Sequence, residues 1–241
     1  MKIARYIKEE VESMAPGVIF VYKDLILDDS QSEAVVKSLN RLASKGVISK
    51  LSKGKFYKPT ITPFGTIPPS ENEVVKDLLE KNGKIIGYLT GYSIFNRLGL
   101  TTQLSNTITI GRNDFRPKLK RGIFKIEFVL QKNAITRYNI PLLQLLDSIK
   151  LIKQIPDTSI ERSCERIIEL IKELDEKQCN LVVNLSMKYP PSTRALLGAL
   201  MQKAGYEKYT EPIKKTLNPI TMYKLEGINS ILSSKDNWNF K

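Results

Sequence analysis

No histidine occurs anywhere in the 241 residues. That removes Ser-His-Asp and Cys-His catalysis, imidazole acid–base chemistry and His-ligated zinc. Only two cysteines are present, Cys164 and Cys179, with no Cys-x-x-Cys pair, too few for a disulfide framework and wrongly spaced for zinc. Both read as small buried hydrophobes in a reducing compartment. No apolar run is long enough to span a bilayer, and Met1-Lys2-Ile3-Ala4-Arg5 places charge where a signal peptide needs an apolar region, so a cytoplasmic protein without membrane partners is expected. A Gly-Lys-Ser/Thr phosphate loop, internal repeats and low-complexity segments are also missing.

Acid is scarce overall. Lys and Arg total 38 against 25 Asp and Glu, a net charge of +13, which calls for an anionic partner. With 41% hydrophobic and 26% charged residues the chain reads as globular rather than disordered. The imbalance is local. Residues 1–33 hold seven acids, whereas 34–70 hold none and carry Lys37, Arg41, Lys45, Lys50, Lys53, Lys55 and Lys58.

The spacing of Ile3, Ile7, Val11 and Met14 predicts an amphipathic helix over 2–14, stopped by Pro16-Gly17. After the apolar run Val18–Val21, residues 22–27 suit a brief second helix. Ser30-x-x-Glu33 matches a capping box opening a third helix to about Ser44, with Gly46 as its left-handed terminator. Segments 47–51 and 55–58 flank a turn at Ser52-Lys53-Gly54 and predict a hairpin ended by Pro59. Helices followed by a closing hairpin describe a winged helix-turn-helix over residues 1–60. On the third helix Val35, Leu39 and Leu42 share the buried side, Asn40 lies at its edge, and Ser30, Ala34, Lys37, Arg41 and Ser44 point away. The expected DNA-binding residues are Ser30, Lys37, Arg41, Ser44, Lys50, Lys53 and Lys55, with Glu33 as a cap. The competing interpretation is an ordinary solvated helix face; the wing lysines and the absent acids weigh against it.

Residues 61–69, rich in Pro, Thr and Gly, read as a linker to a larger mixed α/β domain over 70–241, giving an α+β chain. Ser70-x-x-Glu73 predicts a capped helix over 71–81 closed by Gly83, and Tyr88 to Leu98 a further helix. Residues 104–110 and 123–130 alternate as strands. The basic connection between them reads as an exposed loop, with a second DNA contact through Arg112, Arg116, Lys118, Lys120 and Arg121 as the alternative. Later helices are expected over 140–155, over 157–175 with the stripe Ile160, Cys164, Ile167, Ile168, Ile171 and Leu174, and from Pro190 to Gly205. Leu181–Leu185 is too short to assign. Thr221–Leu225 reads as a last strand and 229–241 as a polar, frayed tail.

Several blocks carry a resemblance. Gly91-Tyr92-Ser93-Ile94-Phe95-Asn96-Arg97-Leu98-Gly99-Leu100-Thr101-Thr102-Gln103 resembles a stretch of AbiEi-type antitoxins of type IV toxin–antitoxin systems, and Tyr189 to Leu200, Leu217 to Leu225 and Phe64 to Glu71 are similar to other blocks of that broad family. The resemblance implies an amino-terminal winged helix that represses the antitoxin's own operon by binding inverted repeats, which two copies would occupy as a homodimer. It also implies a carboxy-terminal domain that counteracts a nucleotidyltransferase-like toxin without necessarily forming a stable complex with it. The alternative is a winged-helix regulator whose second domain senses an effector or partner. An enzyme is not expected: Gly91-Tyr92-Ser93 imitates a nucleotidyltransferase turn, but no Asp or Glu occurs from Gly91 to Asn113 to bind a metal. No cofactor or metal is expected.

Overall fold

The computed structural model describes residues 3–228 and 235–241 and shows an α+β chain. It divides into two compact units, residues 1–77 with 119–125, and residues 78–118 with 126–241. Among the described residues no helix is long and apolar enough to cross a membrane.

In the first unit, α1 (Ile3–Ser13) buries Ile7 and Val11. After β1 (Ile19–Val21), the expected second helix is a single 3-10 turn, Tyr22–Leu25, whose Asp24 carboxylate accepts the Val21 N–H at 2.8 Å. Helix α2 (Ser32–Ser44) buries Val35, Leu39 and Leu42. Its start corrects the predicted capping box. Ser30 lies in a 3-10 turn (Asp29–Gln31) and bonds back to Asp28, its N–H donating to Oδ1 at 2.9 Å, and Gln31 stands at the N-cap without a side-chain bond. The other end behaves as the sequence suggests. Gly46 has φ +72°, and the N–H groups of Gly46 and Val47 return to the carbonyls of Ala43 and Leu42, a Schellman ending that a side chain at 46 would strain.

The hairpin of β2 (Ser49–Ser52) and β3 (Lys55–Tyr57) forms with its turn at 52–54, and β1 adds to β3 to give the antiparallel order β1-β3-β2. The register shifts between Lys50 and Ser52, so Leu51 forms a bulge and turns its side chain inward while Lys50 stays in solvent. Phe20 and Phe56 stack at 6.1 Å over a core completed by Ile7, Val11, Leu39 and Ile48. The predicted linker is a second ribbon, β4 (Thr60–Thr62) paired with β5 (Gly65–Ile67), with Phe64 fully exposed at its tip. Helix α3 (Glu71–Leu79) starts where Ser70 Oγ accepts the Glu73 N–H at 3.4 Å.

The second unit starts at Leu78. Strands β6 (Glu80–Lys81) and β7 (Lys84–Ile85) join through Asn82 and Gly83, both with positive φ, a tight hairpin turn rather than the helix end predicted at Gly83. The helix expected over 88–98 is instead β8 (Gly87–Thr90) followed by the one-turn α4 (Tyr92–Phe95). β9 (Thr107–Arg112) runs antiparallel to β8, with Gly87 opposite Arg112 and Thr90 opposite Thr109. The connection after β9 passes through residues 119–125 of the first unit, which hold β10 (Leu119–Arg121) and a turn at Gly122, and β11 (Phe124–Leu130) then lies beside β9.

Behind the sheet pack α5 (Ile140–Lys150), α6 (Ile160–Lys172), α7 (Glu176–Ser186), α8 (Pro191–Lys203) and the short α9 (Glu211–Lys214). Ser159 Oγ caps α6 through the Arg162 N–H, and Cys164, Ile167, Ile168 and Ile171 are buried along the expected stripe. Burial pushes the Cys164 thiol up to about 12, so it is packing and not a nucleophile. Leu181–Leu185 belongs to α7, which a reciprocal Asp175–Gln178 box opens. Thr221–Leu225 is no strand; it makes one isolated bridge, Tyr223 to Phe240. The tail residues 229–234 lie outside the described part, but 235–241 are not frayed. Trp238 and Phe240 are buried, with the Trp238 ring against the bare Cα of Gly198 and its Nε1 donating to Gln202 at 2.7 Å.

Candidate nucleic-acid interface

The acid-free segment 34–58 sits entirely in the first unit, on α2 and the β2–β3 hairpin. Its cations divide according to what they touch. Lys37 pairs with Glu33 one turn earlier at 2.7 Å, both in solvent. Lys55 is drawn in, its side chain 19% exposed, and binds Asp77 of α3 at 2.7 Å. Lys58 donates to the Glu12 and Met14 carbonyls at the end of α1 and acts as that helix's C-terminal cap. Arg41, Lys45, Lys50 and Lys53 are exposed and make no ion pair with any described residue. Ser30 and Ser44 are also exposed, the Ser44 hydroxyl donating to the Arg41 carbonyl at 2.9 Å. Asn40 is exposed rather than at the buried edge.

Four cations without counter-charges on one helix and its following hairpin form a local positive field, because no carboxylate of the segment screens them. The rigid hairpin holds Lys50 and Lys53, and α2 holds Arg41 with its five donors free for a planar, bidentate acceptor. Of the residues expected to bind DNA, Lys55 is corrected. Its ammonium is committed to a carboxylate that sequence proximity could not reveal, 22 residues away, as the numbering shows.

Asp77 also clamps Arg121, with Nη1 and Nη2 on its two oxygens at 2.5 and 2.9 Å and Nη1 on the Val74 carbonyl at 2.6 Å. Burial opposes ionisation of Asp77, but the Arg121 and Lys55 hydrogen bonds and charges outweigh it and hold the carboxyl below its usual range. Arg112 is likewise buried, bound to Asp114 and to the Leu78 carbonyl at 2.9 Å. Arg116 shares Asp114, and Lys118 reaches Glu127 at 2.6 Å. Arg112 and Arg121 are therefore struts, not the second phosphate-contacting surface, since neither guanidinium is open to a ligand. Only Lys120 of that set is exposed without an ion pair among the described residues.

In the second unit a polar hub centres on Asp147, a carboxyl 1% exposed in the apolar run of α5. Tyr88, Thr90 and Tyr189 hydroxyls donate to it at 2.6, 2.7 and 2.8 Å. Gln131 Nε2 donates to both tyrosine oxygens, at 2.9 and 2.8 Å, leaving each tyrosine proton for Asp147, and Gln131 Oε1 accepts from Asn133. Burial pushes the Asp147 carboxyl up while the three hydroxyls pull it back, and it pushes both phenols up. The sequence signal was a lone acid inside Leu142–Ile149; its partners lie 42 to 59 residues away.

A family model described as "Family of unknown function (DUF6088)" matches residues 6–181. No curated protein matches the chain. Among solved structures, the RV2827C protein from Mycobacterium tuberculosis is similar over 92% of this chain and 84% of its own, with a TM-score of 0.62 at 12% identity, a likeness of fold.

Proposed function

The chain belongs to DUF6088, a family of unknown function, and we propose that it is a DNA-binding regulator that grips its own promoter through α2 and the β2–β3 hairpin in a winged helix-turn-helix arrangement. The observation that carries this reading is the set of exposed, unpaired cations Arg41, Lys45, Lys50 and Lys53 on adjoining elements. Duplex phosphates supply the counter-charge those groups lack, and a helix followed by a ribbon suits a groove and its flanking backbone. The resemblance to AbiEi-type antitoxins extends the proposal: the protein represses a toxin–antitoxin operon as a homodimer on inverted repeats, in the cytoplasm, and its second unit counteracts a nucleotidyltransferase-like toxin. The test is a gel shift with the upstream intergenic DNA across a salt series. The logarithm of the association constant should fall linearly with the logarithm of salt, by about 0.9 per phosphate neutralised. Binding that ignores salt, or no preference for promoter over random duplex, sinks the reading.

A second reading keeps the DNA-binding unit but replaces the toxin by a small effector. A cavity of about 520 Å³ in the second unit favours it.

A further inference from the structure

That cavity opens beside the Asp147 hub, with Tyr189 and Gln131 at its inner wall. Its rim carries Lys132, Lys150, Lys188 and Arg194 and, among the described residues that line it, no carboxylate, the Asp147 carboxyl lying behind Tyr189. None of the four cations forms an ion pair with a described residue. Two are already fixed in place by neutral groups. Arg194 donates to the Met187, Tyr189 and Thr216 carbonyls at 3.1 to 3.3 Å, and Lys188 donates to the Lys132 carbonyl at 3.2 Å. Carbonyls orient these side chains without cancelling their charge, so the positive field is held in position before any ligand arrives. The Lys132 and Lys150 side chains are exposed and make no hydrogen bond or ion pair with a described residue, although the Lys150 charge acts on the buried Asp147 carboxyl. The remaining wall is apolar, with Met187, Pro190 and Pro191.

We propose that this cavity binds a small phosphate ester with a flat or apolar body, of the size and chemistry of a nucleoside monophosphate. The volume lies within the roughly 300–1,000 Å³ of ligand clefts. Four like charges around one concavity repel one another until a multiply charged anion enters, and phosphate accepts from several donors at once. The Met187 and proline faces offer a surface for the uncharged part. A concave site excludes more water than an open ridge, and this favours a small ligand over a polymer. The site lies wholly in the second unit and stands apart from the DNA-binding reading, which concerns the first.

Calorimetry on the full chain tests it, with adenosine monophosphate, adenosine and inorganic phosphate as probes. The monophosphate should bind saturably, adenosine should not, and inorganic phosphate should compete. The double variant Lys132→Ala/Lys150→Ala removes two charges that make no hydrogen bond or ion pair with a described residue and should weaken binding by about tenfold or more, whereas Lys172→Ala on α6 should leave it unchanged. Circular dichroism of the double variant should match the parent, which separates lost binding from lost folding. Equal affinity for adenosine and its monophosphate overturns the phosphate site, as does unaltered binding by a folded double variant. Tight binding of a single-stranded oligonucleotide with none of the monophosphate overturns the small-ligand assignment in favour of a nucleic-acid surface. No saturation by any probe in the millimolar range overturns the proposal entirely.

Discussion

Residues 37–58 and residues 112–121 are comparably basic in sequence, yet the structure uses their charge in opposite ways. The first leaves Arg41, Lys45, Lys50 and Lys53 in water without an ion-pair partner among the described residues. The second encloses Arg112 and Arg121 around Asp114 and Asp77 and against backbone carbonyls. A basic run advertises an anion-binding surface only when no acid folds back onto it, and Asp77, far from both Lys55 and Arg121 in sequence, does fold back. Guanidinium burial marks the difference, because a buried Arg is tolerated only when paired and hydrogen-bonded.

The largest test of this contrast is Arg121→Ala. It removes the guanidinium from the Val74 carbonyl and leaves Asp77 with Lys55 alone, so stability in urea should fall by about 3 kcal/mol, the low end for breaking a buried pair because Asp77 is half in water. A loss below about 0.5 kcal/mol would return Arg121 to the surface set. The same clamp sets a pH dependence. The Asp77 carboxyl is held below its ordinary value, so its contribution is present above the unfolded value of about 4 and is lost as the pH falls through the folded one. Asp77→Asn should flatten that acid-side decline, measured as urea midpoint against pH.

On the other side of the comparison, Arg41→Ala should leave folding untouched and cost about 2 kcal/mol of preference for promoter over random DNA, the scale of a guanidinium–guanine bond pair. Equal losses on both duplexes would make Arg41 a phosphate contact. Next in size is a paired measurement on the hairpin. Lys53→Ala should lower the salt slope by about one unit, and Lys55→Ala should not, since its ammonium already has a carboxylate. Equal changes in both would show that DNA displaces Asp77.

What the sequence could show depended on how local the deciding contacts were. The stripe of α6 and the Gly46 terminator are set within a few residues, and both are found as expected. Tyr88, Tyr92, Phe95 and Leu98 imitate a helical face, but β8 is buried on both sides, so no alternation betrayed the strand. Trp238 and Phe240 sit among polar residues and owe their burial to Gly198 and Tyr223, distant in the chain. The turn-rich segment at 61–69, expected as a linker, folds as a ribbon inside the first unit, which runs on to residue 77 and takes back residues 119–125. A fragment ending near residue 62 therefore lacks Asp77 and Arg121, and tests of DNA binding belong on the full chain.

The smallest effect concerns two serines that the sequence presents alike, each just ahead of a helix. Ser159 accepts the Arg162 N–H at 3.2 Å at the N-cap of α6, with φ −89° and ψ 161°, the extended geometry from which a hydroxyl reaches the first turn. Ser30 precedes the actual N-cap of α2 and is engaged with Asp28, whose carboxyl its N–H and hydroxyl hold below the usual range. Ser159→Ala should cost about 1 kcal/mol, while Ser30→Ala, which gives up an exposed bond and no helix donor, should cost under about 0.5 kcal/mol. Ser30→Ala should also leave promoter affinity unchanged if α2 meets DNA only through its later turns, where Arg41 stands. A loss of affinity without a loss of stability would restore Ser30 to the interface as a phosphate contact. A stability loss matching that of Ser159→Ala would mean that Ser30 leaves Asp28 and caps α2 in solution, as the Ser30-x-x-Glu33 spacing predicts.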